Sequence, residues 1–123
     1  MRKLLLSIAA AALIASGASM AAEPAKPANG VLTGPNGMTL YTFDKDTANS
    51  GKSACNGACA TLWPPLFAAD TDKASGGYTV VVRDDGKKQW AYKGKPLYYF
   101  ARDTKAGEMT GDGFNKVWTT AKP

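Results

Sequence analysis

The segment Leu40-Tyr41-Thr42-Phe43-Asp44-Lys45-Asp46-Thr47 returns later in the chain as Leu97-Tyr98-Tyr99-Phe100-Ala101-Arg102-Asp103-Thr104. A glycine stands three residues ahead of each copy (Gly37, Gly94), and a tryptophan follows each about one segment later (Trp63, Trp118). Leu, Tyr, Phe, Asp and Thr matched at fixed spacing are an internal repeat. The chain therefore has to fold as two related halves.

Within each copy the Tyr and Phe are two residues apart, so on a strand they share one face and the Leu takes the other. The Asp comes three residues beyond the Phe, past the strand's end. One reading makes it a latch that accepts hydrogen bonds from backbone N–H groups of the loop it opens, with the aromatic couple in the core. The other notes that duplication can create a pseudo-two-fold axis. Asp46 and Asp103 would then face each other, shift each other's pKa, and do acid–base chemistry or bind a cation. Tyr41, Phe43, Asp46, Tyr98, Phe100 and Asp103 mark the candidate binding surface. Asp44-x-Asp46 has the start of a calcium loop, but Ala48, Asn49 and Cys55 stand where the EF-hand needs a ligand, a glycine and a bidentate Glu.

The chain has no histidine. That excludes Ser-His-Asp hydrolysis, Cys-His nucleophiles, histidine metal sites and the Cys-x-x-Cys-His attachment of c-type haem. No nucleophile–base pair and no cofactor motif remain, so the expectation is a chain without catalytic residues, cofactor or dedicated metal site.

Residues 1–21 have the form of a signal peptide. Arg2 and Lys3 precede an apolar run from Leu4 to Ala15, and Ser19-Met20-Ala21 offers a cleavage site. The run falls short of the roughly 20 residues a membrane anchor needs, so no transmembrane span is expected in the mature chain. Loss of Arg2 and Lys3 lowers the net charge from +5 to +3, too little to point to nucleic acid. Lys87, Lys88, Lys93 and Lys95 gather on one expected hairpin beside Asp84 and Asp85, as on a solvated edge strand.

Residues 22–29, with two prolines and no periodicity, read as a flexible leader; residues 30–123 form one domain, with repeat one over about 36–66 and repeat two over about 93–121. Val31-Leu32-Thr33 and Met38 to Phe43 are arms of a hairpin turned by Gly34-Pro35-Asn36-Gly37. Ser53 is placed to cap a short helix running through Cys55 to Trp63, which Pro64-Pro65 ends. Leu66 to Gly77 reads as a connector. Tyr78 to Arg83, Gln89 to Tyr92 and the segment opened by Pro96 form a three-stranded meander. A Gly-rich loop then leads to a last short strand or turn ending at Trp118. The fold class is mainly β: a small single domain of antiparallel hairpins in two sequence-related halves, with one short helical insertion. Trp63, Trp90 and Trp118 are core residues.

Cys55 and Cys59 are the only cysteines. In an exported chain two cysteines this close most often pair. One helical turn sets their Cα atoms about 6 Å apart, within disulfide range. The loop is small, so the bridge contributes only about 2 kcal/mol. The rival readings are a redox pair or a thiolate metal site. Redox enzymes of the thioredoxin type space their cysteines as Cys-x-x-Cys, and two thiolates do not complete a zinc site.

Tyr41-x-Phe43-x-x-Asp46 and Tyr98-x-Phe100-x-x-Asp103, with Ser53-x-Cys55-Asn56-Gly57-x-Cys59 and Trp63-Pro64-Pro65 between them, resemble the secreted-repeat lipoprotein family of unknown function, described by a Tyr-x-aromatic-x-x-Asp motif in tandem. The resemblance runs from about Gly30 to the end. It implies an exported, envelope-associated bacterial protein, and it carries no reaction and no catalytic residue. Family members are often lipid-anchored, and this sequence has no cysteine near the cleavage site; a soluble periplasmic or secreted form is expected. The first functional expectation is a non-enzymatic binding or structural module for an envelope partner or small ligand. The second is a periplasmic redox or metal-binding protein using Cys55/Cys59 or Asp46/Asp103. The partner, the ligand and the oligomeric state are not specified by the sequence.

Overall fold

Period-two alternation along the two repeated segments divides the interior into two clusters. The computed structural model describes residues 23–123; the signal peptide expected over 1–21 lies outside the described residues. Leu40 and Leu97 turn to one side, where Leu32, Leu66, Tyr78, Trp90 and Ala121 join them. Tyr41, Tyr98 and Phe100 turn to the other, with Trp63, Trp118 and Cys55. Each half feeds both clusters, so neither half has a core of its own. Burying a leucine fully stabilises by about 2 kcal/mol, and Leu40 and Leu97 are both wholly buried.

The first strand, β1 (Lys26–Ala28), pairs antiparallel with β2 (Val31–Thr33). Asn29 and Gly30 both have positive φ, as a two-residue hairpin turn requires. This corrects the flexible leader expected over 22–29: Lys26–Ala28 is a strand and Ala25 is buried. Proline at the middle of β1 is tolerated because it lies on the strand's unpaired side or edge, where no ladder donor is needed.

The Gly34–Gly37 turn closes with the Gly34 N–H donating to the Met38 carbonyl at 2.9 Å. The arm beyond it narrows to β3 (Tyr41–Phe43), which pairs with the last strand, β8 (Trp118–Thr120). The two repeat halves thus meet in one ladder. The helix α1 (Ala58–Leu62) begins at Gly57, with no side-chain cap. Ser53 is not its cap, because its hydroxyl is taken up elsewhere, as described below.

The expected connector contains β4 (Phe67–Ala68), which adds to β6 (Lys88–Tyr92). β5 (Tyr78–Val82), β6 and β7 (Lys95–Pro96) form the expected meander. Lys93 and Gly94, both at positive φ, turn its second corner. The second repeated segment is not a long strand. Tyr98 exchanges hydrogen bonds with Tyr41, Leu97 donates to Trp90 and accepts from Leu66, and Tyr99 donates to Pro64. Its backbone groups are shared among three neighbours, so no single ladder runs on. A 3-10 turn, Phe114–Lys116, precedes β8.

Candidate functional site

Tyr41 and Tyr98 lie opposite each other as an antiparallel bridge. The Tyr41 N–H donates to the Tyr98 carbonyl at 2.7 Å and the Tyr98 N–H to the Tyr41 carbonyl at 2.9 Å. From this mutual pair each side chain reaches into the other half. The Tyr41 hydroxyl donates to Asp103 Oδ2 at 2.6 Å, and the Tyr98 hydroxyl donates to Asp46 Oδ2 at 2.6 Å. The motif is completed crosswise: tyrosine of one copy, aspartate of the other.

The second oxygen of each aspartate does the latching anticipated from the sequence. Asp46 Oδ1 accepts from the Ala54 N–H at 2.6 Å. Asp103 Oδ1 accepts from the Thr110 N–H at 3.1 Å and from the Thr110 hydroxyl. The dyad reading requires the two carboxylates to act on each other, yet they share no hydrogen-bond partner. Among the described residues, no three His, Cys, Asp or Glu side chains gather as a metal-holding group.

The aromatic partners cross over in the same way. Trp63 and Trp118 stack with centroids 3.8 Å apart and planes 4° from parallel. Phe43 stacks on the tryptophan of the other half, Trp118, at 4.2 Å, and Phe100 on Trp63 at 4.2 Å. Tyr41 and Tyr98 meet Trp63 and Trp118 edge to face. Such pairs add about 0.5–1.5 kcal/mol each beyond the area they bury. Tyr41, Tyr98 and Phe100 are core residues, so the six motif positions do not form an open face. Trp63, Trp90 and Trp118 are buried, as expected.

Three further polar residues, Arg83, Gln89 and Ser53, join the site. Arg83, only 4 % exposed, donates from Nη1 to Gln89 Oε1 at 2.7 Å and to Ser53 Oγ at 3.0 Å. Its Nη2 donates to the Cys55 carbonyl at 2.5 Å and to Asn56 Oδ1 at 3.2 Å. Gln89 passes the contact on by donating to the Leu97 carbonyl at 2.8 Å. Ser53 Oγ lies 2.6 Å from the Tyr98 hydroxyl. Since the Tyr98 proton points at Asp46, Ser53 is the donor there. A directed chain results: Arg83 to Ser53 to Tyr98 to Asp46. The signal for Arg83 was the alternation of β5, which places it two beyond buried Val81 on the inner face.

Burial pushes the Asp46 carboxyl above its usual value, and the bonds from Tyr98 and Ala54, with the positive charge of Arg83, oppose that rise. Burial, reinforced by the neighbouring carboxylate, pushes the Tyr41 and Tyr98 hydroxyls far above the usual phenol value. Neither tyrosine is poised to lose its proton near neutrality.

The cysteines form the expected disulfide, Cys55–Cys59, with Cα atoms 5.2 Å apart. Cys55 is wholly buried; Cys59 is half-buried beside an open groove. Among the described residues no helix is long and apolar enough to cross a membrane.

A family described as a secreted repeat of unknown function matches residues 24–67 and again 79–122, well over half the chain. Each matched unit begins earlier than the repeats read over about 36–66 and 93–121. It takes in a leading hairpin, β1–β2 in one copy and β5–β6 in the other, and so includes residues expected to be a leader. Among curated proteins and among solved structures, none matches.

Proposed function

The chain belongs to the secreted-repeat family of unknown function, and from its site we propose that it is a non-enzymatic binding or structural module, soluble in the periplasm or outside the cell. The observation that carries this reading is the mutual engagement of its motif. Tyr41 with Asp103 and Tyr98 with Asp46 spend their hydrogen-bonding capacity on each other inside the protein. A pair so arranged joins two halves that lack separate cores; it does not present a base or nucleophile to a substrate. The disulfide supports the same view, since it pins the loop whose Cys55 carbonyl receives Arg83.

The rival is a redox or metal-binding protein using Cys55/Cys59 or Asp46/Asp103. Thermal melting, a thiol–disulfide exchange assay and calorimetry against calcium and transition metals separate the two. Cys55→Ser is expected to lower stability by about 2 kcal/mol and to change nothing else. Reversible thiol titration at a physiological potential, with an exchange activity lost in Cys55→Ser, would overturn the proposal. Metal-binding heat that disappears in Asp46→Asn would do the same.

A further inference from the structure

At the seam of the two halves lies an open groove of about 440 Å³, and we propose that it binds a planar aromatic ring carrying an anionic group. The proposal rests on the binding-module reading and names its ligand class. Volumes of about 300–1,000 Å³ are usual for small-molecule sites. Five half-buried apolar side chains, Phe43, Cys59, Leu62, Phe114 and Val117, converge around the Trp63–Trp118 pair.

The ring chemistry follows from the stacking. The faces of Trp63 and Trp118 are taken up by each other, Phe100 and Phe43. The groove therefore meets the half-buried rings of Phe43 and Phe114, which receive an incoming ring offset-stacked or edge to face. The charge follows from the rim. Lys45, exposed, is the charged residue lining the groove, and no acidic side chain lines it. Asn115 also lines the groove and offers an amide donor. The backbone at that rim is held in an unusual state, with Asn115 at φ 51 and Lys116 at φ 60. Strained positions of this kind cluster at ligand clamps and cost about 1–3 kcal/mol each.

The test uses two fluorescent probes of one shape, anilinonaphthalene sulfonate and its uncharged parent phenylnaphthylamine, titrated into the folded protein with its disulfide intact. Both are expected to bind one saturable site and to receive energy from tryptophan. The sulfonate is expected to bind about threefold tighter, the size of one exposed ion pair, and Lys45→Gln to erase that difference. Ala58→Trp, at an exposed wall position, fills the groove and is expected to abolish both. Lys45→Gln keeps the test intact if Ala58→Trp melts early. Absence of a saturable site, binding undiminished in well-folded Ala58→Trp, or no preference for the sulfonate overturns the proposal. The non-enzymatic reading would survive that result, since it falls only to the exchange assay and calorimetry described above.

Discussion

The same tyrosine–aspartate bond is made twice, and its two copies are supported by different means. Around Tyr98 and Asp46 the support is polar: Ser53, Arg83 and Gln89 form a buried chain, held in place by a disulfide-bridged loop. Around Tyr41 and Asp103 the polar contacts are local, from Thr110 and Gly111, and close packing backs them in place of a buried arginine. There the Gly111 N–H donates to the Tyr41 hydroxyl at 3.2 Å, and the loop lies so close to the rings that a side chain has no room. Phe114, the counterpart in that half of the loop carrying the disulfide, packs against Trp63 and Phe100. A duplicated contact thus keeps its geometry while its surroundings diverge, because the contact needs only a fixed loop behind each aspartate. Hydrogen bonds latch both loops; a buried arginine chain backs one, and close packing at Gly111 backs the other.

The sharpest way to break the polar side is Arg83→Ala, which strips partners from Gln89, Ser53 and the Cys55 carbonyl at once. A loss on the order of 3 kcal/mol is expected from leaving buried acceptors unmade, measured by urea denaturation. On the steric side, Gly111→Ala is the matching probe. A Cβ there would stand 2.7 Å from Trp63 and 2.9 Å from Phe100, and overpacking of that kind costs about 1–3 kcal/mol. If Gly111→Ala is neutral, the contrast between the two supports is wrong.

The pH dependence sharpens the comparison further. Both hydroxyls have folded pKa values raised above the usual 10.0. Their contribution is fully present below pH 10 and is lost as pH rises beyond it, because the unfolded chain gives up protons that the folded chain keeps. Tyrosinate absorbance is expected to show both ionising only as the protein unfolds, and Tyr98→Phe or Tyr41→Phe to flatten the alkaline fall. Asp46, also raised, works at the acid end with the smallest effect. Its contribution is present below its usual value of 3.8 and declines as pH climbs through the raised one. Asp46→Asn is expected to remove that slope, and Asp103→Asn to leave it in place.

Much of this could be read from local pattern. Alternation in Leu-Tyr-x-Phe separates the two clusters; Lys93-Gly94 turns the meander; Pro64-Pro65 follows the helix; the spacing of Asp46 and Asp103 beyond their strands announces the latches. What could not be read is which half each side chain serves. Periodicity assigns a face but not a partner, so the crossing of Tyr41 to Asp103 and of Phe43 to Trp118 was invisible. Arg83 was hidden by its neighbours, since an arginine ahead of Asp84 and Asp85 looks solvated. Ser53 has the local pattern of a helix cap, whereas its partners, Arg83 and Tyr98, stand 30 and 45 residues away in the sequence. Lys26–Ala28 has the composition of a leader; only pairing with β2 makes it a strand.

The crossed motif is best tested by double-mutant cycles on folding stability, combining Tyr→Phe with Asp→Asn at the four positions. The crossed pairs, Tyr41 with Asp103 and Tyr98 with Asp46, should each couple by about 1.5–3 kcal/mol, as hydrogen bonds to charged groups do. The pairs within one copy, Tyr41 with Asp46 and Tyr98 with Asp103, should couple by less than about 0.5 kcal/mol. Equal coupling within copies, or none across them, would contradict the account.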